Sequence, residues 1–196
     1  MDSVAAVHAA AFPDSILTRL GKEAVCRYYL WLIEGPHETY AAGAFLDGDL
    51  AGFLFGGIAP DAIPGFLRAN RGLLVKRLAR RPWLVVDPVF RDRIASAVRS
   101  VTRPHRSAPV TAAQAARKRP FDVISVAVDP RVQGEGIGKR LMRYAEQIAR
   151  QNGFHVMTLM VHVDNDQAIG FYESLGWQKL LRQGIWHGNM ELWFER

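Results

Sequence analysis

Apolar residues recur along this chain at two spacings, three-to-four and two, and the switches between them mark out its elements. Residues 3–12 read as a short Ala-rich helix. The stretch PDSILTRLGKEAVCRYYLWLIEG reads as a second helical region, with Ile16, Leu17 and Leu20 and then Val25, Tyr28, Tyr29 and Leu32 at helical intervals. Two apolar runs, Tyr40–Leu46 and Asp49–Ile58, flank Asp47-Gly48, the signature of a β-hairpin. Prolines at 60, 64, 82, 88, 104, 109 and 120 punctuate the next segment of the chain. Within it, Ile63–Arg81 and Pro88–Val101 have the stripes of amphipathic helices, and Thr102–Lys118 reads as a loop.

Order returns at FDVISVAV, 121–128, which is apolar on both faces as a centrally buried strand should be and is ended by Asp129-Pro130. Residues 136–151 are helical, with Ile137, Leu141, Tyr144 and Ile148 on one side, and Gln151-Asn152-Gly153 stops them. FHVMTLMV is a second buried strand. Asp164 or Asn165 then caps a helix, AIGFYESL, that stops at Gly176. Two last strands, 178–182 and 189–195, flank a turn expected at His187-Gly188. Met190, Leu192 and Phe194 alternate with polar or amphipathic residues in the second.

Composition narrows the class. A length of 196 residues, about half of them apolar, suits one domain with a full core. The single cysteine, Cys26, excludes an internal disulfide and reads as a buried structural thiol. No apolar run reaches the ~18 residues of a membrane span, and the N-terminus lacks the long apolar core of a secretory signal. These features fit a reducing, cytoplasmic setting. The net charge of +6 is unevenly spread: residues 60–119 hold fourteen Lys or Arg against three Asp or Glu, and the rest of the chain is acidic. The asymmetry argues against a uniformly basic nucleic-acid binder and marks 60–119 as a basic helical insert in a single domain, 1–196.

The chemistry concentrates in QGEGIGKRL, from Gln133 to Leu141. Three glycines at a helix entrance leave successive backbone N–H groups free to converge at the positive end of the helix dipole, which makes an anion site suited to phosphate. A tight turn without a ligand would need only one of them. The spacing fails the P-loop, because Lys139 is followed by Arg140 and no glycine stands five before Gly138. It also fails the GxGxxG dinucleotide turn.

VDPRVQGEGIGKRLM, from Val128 to Met142, does match the pattern Val-x-Pro-x-x-(Gln/Arg)-Gly-x-Gly-(Ile/Val)-Gly. It resembles the acetyl-CoA loop of the GCN5-related N-acetyltransferase superfamily. MVHVDNDQAIGFYESLGW resembles that family's second motif, in the family's order and distance. The resemblance covers 121–196 strongly and 1–58 loosely. It implies an α/β (α+β) fold with a mixed, mostly antiparallel central sheet flanked by helices. Two departures stand out: the chain starts almost inside the first helix, so the first strand is absent or the start is internal, and about sixty residues separate the third and fourth strands.

The resemblance further implies an N-acetyltransferase that moves the acetyl group of acetyl-CoA to an amine in a ternary complex, without a metal. The pyrophosphate would sit on the amides of Gln133, Gly134, Glu135, Gly136, Ile137, Gly138 and Lys139. The pantetheine arm would pair like an extra strand with Val126, Ala127 and Val128. The thioester carbonyl would lie near those amides, which can stabilise a developing oxyanion. Asn165 would bond the pantetheine or a neighbouring backbone group; otherwise it is a helix cap. Tyr172 would protonate the departing thiolate; on periodicity alone it is a core tyrosine beside Phe171 and Leu175.

An attacking amine near pKa ~10 must first lose a proton. Asp122 stands where histone-acetylating members of the family carry a glutamate base, and is otherwise an exposed strand-start carboxylate. His162 and a water relay are the competing bases. The acceptor expected is a small-molecule amine, with the arginines of the insert favouring an anionic one such as a nucleotide-linked amino sugar. The insert's apolar stripes must be covered, either by the protein itself, as a lid on the acceptor side, or by an anionic membrane surface. A membrane- or nucleic-acid-associated binding module on the same fold and a protein N-acetyltransferase are the rival functions. A degenerate binding relative would have lost Tyr172 or the loop, and both are intact.

Overall fold

A computed structural model describes residues 1–60, 62–80 and 120–194. Elements are numbered over these residues. The chain divides into two compact units, one drawn from 1–37 and 59–116 and the other from 38–58 and 117–196.

The first unit is helical. It holds α1 (Asp2–Ala11), α2 (Ile16–Leu20), α3 (Lys22–Glu34), α4 (Ala62–Ala69) and α5 (Arg71–Arg80). The stretch expected to be one helical region after residue 12 is two helices, because Gly21 at φ 99° breaks it. The Ser15 hydroxyl caps α2 by accepting from the Thr18 amide at 3.0 Å. Val25, Tyr28, Tyr29 and Leu32, the stripe read from the sequence, form the buried face of α3 together with Ala24. Cys26 is half-buried and free rather than buried, since it falls beside that stripe. Ile63–Arg81 was expected as one helix; α4 and α5 meet instead at Asn70, whose Nδ2 donates to the Phe66 carbonyl at 3.1 Å. The second predicted insert helix, Pro88–Val101, the loop 102–118 and the proposed lid lie outside the described residues.

The second unit is a six-stranded sheet, β1 (Glu38–Leu46), β2 (Asp49–Ile58), β3 (Phe121–Val128), β4 (Val156–Met160), β5 (Gln178–Arg182) and β6 (Ile185–Trp193), in the order β1-β2-β3-β4-β6-β5. Only β3 and β4 pair in parallel; the other neighbours are antiparallel. This is the mixed, mostly antiparallel sheet expected. The first element is α1 and the edge strand is β1, so the insert joins the second and third strands present. The β1–β2 hairpin turns on Asp47 (φ 51°) and Gly48 (φ 88°), both left-handed as a type I′ turn requires.

Helices α6 (Ile137–Gln151) and α7 (Asp166–Ser174) cover one face of this sheet. Ile137, Leu141, Met142, Ala145 and Ala149 are buried against Leu54, Phe121, Met157 and Met190. Tyr144, expected in the stripe, falls at its margin and is exposed. Asn165, not Asp164, caps α7. The last hairpin turns at Gln183-Gly184 rather than His187-Gly188. Gly188 lies inside β6, where its carbonyl accepts from Val161 N–H at 2.8 Å and a Cβ would fall 2.2 Å from the Val161 oxygen. Its glycine serves that close approach, not a turn.

Candidate active site

The site is built where β3 ends and α6 begins. β3 and β4 pair only through Phe121–Met157 and Asp122–Thr158. Beyond that rung the two parallel strands part, while β3 stays paired to β2 as far as Val128. The cause is local. Phe55 pairs with Ser125 and Gly56 with Val123, so Ile124 is a bulged residue that bends β3 just past Asp122. The Asp129 amide donates to the Ala51 carbonyl of β2 at 2.8 Å. Alternation along the strand then aims the backbone polar groups of Val128 and Val126 toward the opening, and those of Ala127 toward β2.

At the mouth of the opening the chain makes a 3-10 turn, Pro130–Val132. Asp129 anchors it: its carboxylate accepts from the Arg131 amide at 2.9 Å and from the Arg131 guanidinium at 2.6 Å. Those bonds hold the Asp129 carboxyl down at about 2, against desolvation that opposes them. Sequence reasoning missed this clamp, although Asp before Pro at the first position of a turn is its usual signal.

Gly134 (φ 91°) and Gly136 (φ 75°) carry the loop through left-handed backbone, and a Cβ on either would meet nothing within 4 Å. The space over the loop is open. Gly136 is the N-cap of α6 and makes no side-chain cap bond. The first bond of the helix runs from the Arg140 amide to the Gly136 carbonyl at 3.0 Å, so the amides of Ile137, Gly138 and Lys139 precede the ladder. Lys139, Arg140 and Arg143 stand exposed on the first two turns. Converging donors, a helix dipole and three cations suit a polyanion. Gln133 and Glu135 are exposed on the same loop, with Gln133 Nε2 3.4 Å from the Val128 carbonyl. Ile137 faces the other way, into the core.

Helix α7 closes this end of the sheet. A Cβ at Gly138 would stand 3.4 Å from the Phe171 ring and 3.7 Å from a Val128 methyl, so β3, α6 and α7 converge there. Tyr172, the next residue, is half-buried between Phe171 and Trp177, with ring centroids 5.2 and 6.0 Å away. Burial pushes its phenol up to about 12, so it keeps its proton through the neutral range. Asn165 Oδ1 accepts from the Ala168 amide at 3.1 Å, which is the cap of α7. Its Nδ2 remains as a donor.

Asp122 is exposed at the apex of the opening, where the Thr158 hydroxyl donates to its Oδ1. His162 lies past the end of β4, exposed, with Nδ1 accepting from the Asp164 amide at 3.4 Å. From apex to mouth, six residues of β3 span about 20 Å. The opening therefore joins a carboxylate at one end to an anion-binding loop at the other. A long thin molecule with a phosphate head fits it. Among the described residues no group of His, Cys, Asp and Glu could hold a metal, and no helix is long and apolar enough to cross a membrane.

The chain is similar to several known acetyltransferases. The N-alpha-acetyltransferase RimI of Mycobacterium tuberculosis is 42% identical over 60 residues, 31% of this chain and 36% of that one. The mycothiol acetyltransferase of Kocuria rhizophila is 36% identical over 66 residues, 34% of this chain and 20% of that one. These matches span about a third or less of either relative. The crystal structure of the PaiA N-acetyltransferase from Thermoplasma acidophilum in complex with coenzyme A superposes at a TM-score of 0.56, with 14% identity over 98% of this chain and 91% of that one, a likeness of fold. The family model described as Acetyltransferase (GNAT) family matches residues 2–177, nearly the whole chain. The chain belongs to the GNAT acetyltransferase family.

Proposed function

We propose that this protein is an acetyl-CoA-dependent N-acetyltransferase acting on a primary amine. The observation that carries the reading is the β3–β4 opening, which ends in a glycine loop whose first helical amides lack a side-chain cap. Acetyl-CoA held there would supply an activated acetyl thioester. The amides of Gln133 to Lys139 would hold its pyrophosphate, with Lys139 and Arg140 as counter-charges. Val126 and Val128 would bond the pantetheine as a neighbouring strand would, with Ala127 between them bonded to β2. Asn165 Nδ2 would donate to the same arm.

The protons are handled at the two ends of the reacting region. Asp122 accepts a proton from the incoming ammonium, and Tyr172 holds a proton to give at the sulfur. A phenol near 12 cannot act as the base at neutral pH, so the two roles do not interchange. Burial of the Tyr172 ring against Phe171 and Trp177 keeps water from that side.

The acceptor we propose is a small-molecule amine. The basic character of 60–119 favours one that carries a phosphate, such as a nucleotide-linked amino sugar. The likeness to an N-alpha-acetyltransferase favours a second acceptor, the α-amine of a peptide. The family's dependence on a cytosolic thioester fits a cytoplasmic setting.

Titration calorimetry with acetyl-CoA, paired with thiol-release assays against nucleotide-linked amino sugars, polyamines and N-terminal peptides, tests this reading. We expect micromolar acetyl-CoA affinity and turnover with one class. Absence of acetyl-CoA binding to the folded protein would overturn it.

A further inference from the structure

The last rung between β3 and β4 pairs Asp122 with Thr158, and their side chains meet: Thr158 Oγ1 donates to Asp122 Oδ1. Phe121 and Met157, one residue earlier on each strand, are buried in the core beneath α6. Asp122 and Thr158 therefore occupy the opposite face of the sheet. We propose that Thr158 is a positioning residue of the transfer reaction, whose hydroxyl fixes the Asp122 carboxylate at the apex of the β3–β4 opening. This rests on the reading of Asp122 as the acceptor of the ammonium proton.

An exposed aspartate on a strand has several rotamers of similar energy, and only some keep its oxygens over the apex. Thr158 narrows that freedom from a neighbouring strand. It is β-branched, so its χ1 is restricted and the direction of its hydroxyl is set by the backbone of β4. The bulge at Ile124 acts in the same place: it turns β3 away after Asp122, which leaves this rung as the last one with a cross-strand partner for the carboxylate.

The donated bond also favours the ionised form of the carboxyl. The row across the strands reads Thr39, Gly57, Asp122, Thr158, Glu191 and Gln178. Glu191 is the other carboxylate in that row, two strand spacings or about 10 Å from Asp122. Its charge opposes ionisation of Asp122 weakly, and does so equally with or without the Thr158 hydroxyl. Glu38 bonds Tyr40, whose ring stacks on Phe121, and so belongs to the α6 face.

The test compares Thr158→Val, Thr158→Ser and Asp122→Asn in the full chain. Carbon-13 NMR of the Asp122 carboxyl reads its titration without any ligand. The pH dependence of kcat/KM is read with whichever amine class the thiol-release assays select, and calorimetry reads acetyl-CoA affinity. We expect Thr158→Val to raise the Asp122 titration by about one pH unit, to move the acidic limb by the same amount and to leave acetyl-CoA affinity unchanged. Thr158→Ser should recover most of the shift. Should the valine variant not fold, Thr158→Ala gives the same loss of the hydroxyl. An unmoved carboxyl titration, or a moved titration with an unmoved limb while Asp122→Asn abolishes that limb, overturns the role of Thr158 alone. A limb that survives Asp122→Asn overturns the reading of Asp122, and with it this proposal.

Discussion

Gly138 adjoins the ring of Phe171: a Cβ at 138 would stand 3.4 Å from the ring's Cζ. This approach fixes α7, and with it Tyr172, against the first turn of α6. A single methyl at 138 would make ordinary contact there, whereas a branched side chain would have to move the ring. Gly138→Val should displace Phe171 and lower stability by about 1–3 kcal/mol, as overpacking usually does. Thermal unfolding checks the stability. Acetyl-CoA affinity, by calorimetry, should fall as well, because the same turn presents the anion-binding amides.

Gly136 has the opposite character. Its φ of 75° is left-handed and the space beside it is open, so Gly136→Ala meets strain but no clash inside the protein. The cost should be about 1–2 kcal/mol in unfolding free energy. Affinity for acetyl-CoA should fall by a larger factor, since the added methyl stands over the loop amides. Equal affinity in a folded variant would mean the phosphate sits elsewhere.

Tyr172→Phe should lower kcat by about 10²–10⁴, the range for losing a general acid, with little change in acetyl-CoA affinity. The phenol at about 12 also predicts a pH profile without an alkaline limb from Tyr172 below pH 10 or so. A variant that turns over at the parent rate would leave Tyr172 with only its packing between Phe171 and Trp177.

Asp122→Asn should abolish the acidic limb of kcat/KM, because a carboxylate that accepts the ammonium proton fails once the pH falls through its own titration. His162→Asn should leave the limb in place. The reverse pattern in the two variants would move the base to His162.

Stability has its own pH dependence, set at His8. This side chain is buried, with Nδ1 2.8 Å from the Tyr29 hydroxyl and Nε2 3.0 Å from the Ser15 hydroxyl. Burial pushes its pKa down to about 4. The unfolded chain binds the proton first, near 6.5, so the stabilisation is complete above that pH and is lost as the pH falls toward 4. The loss reaches on the order of 3 kcal/mol. Denaturant unfolding at pH 7.5 and 4.5 should show the drop, and His8→Gln should flatten it.

Much of the protein was legible in the chain because its signals are local. The type I′ hairpin at Asp47-Gly48, the stripe on α3, the buried strand β3 and the glycine entrance to α6 each arise from residues close in sequence. Residue type and spacing set their backbone preferences directly. The candidate site residues were legible for the same reason, through two contiguous motifs around Gly134–Gly138 and Asn165–Tyr172.

The tertiary structure decided what depends on register between distant strands. The bulge at Ile124 arises because β2 and β3 run out of step between Phe55 and Gly56, residues nearly seventy positions away in the chain. No local pattern encodes it, yet it is what opens β3 from β4 and leaves a slot of strand length. The pairing of Asp122 with Thr158, 36 residues apart, is a product of that register. So is the position of the last turn, where Gly188 serves a close approach to Val161 and the chain reverses at Gln183-Gly184 instead. Sequence determined which residues are candidates for binding and proton transfer; register, a sum over many cross-strand contacts, determined which of them border one opening.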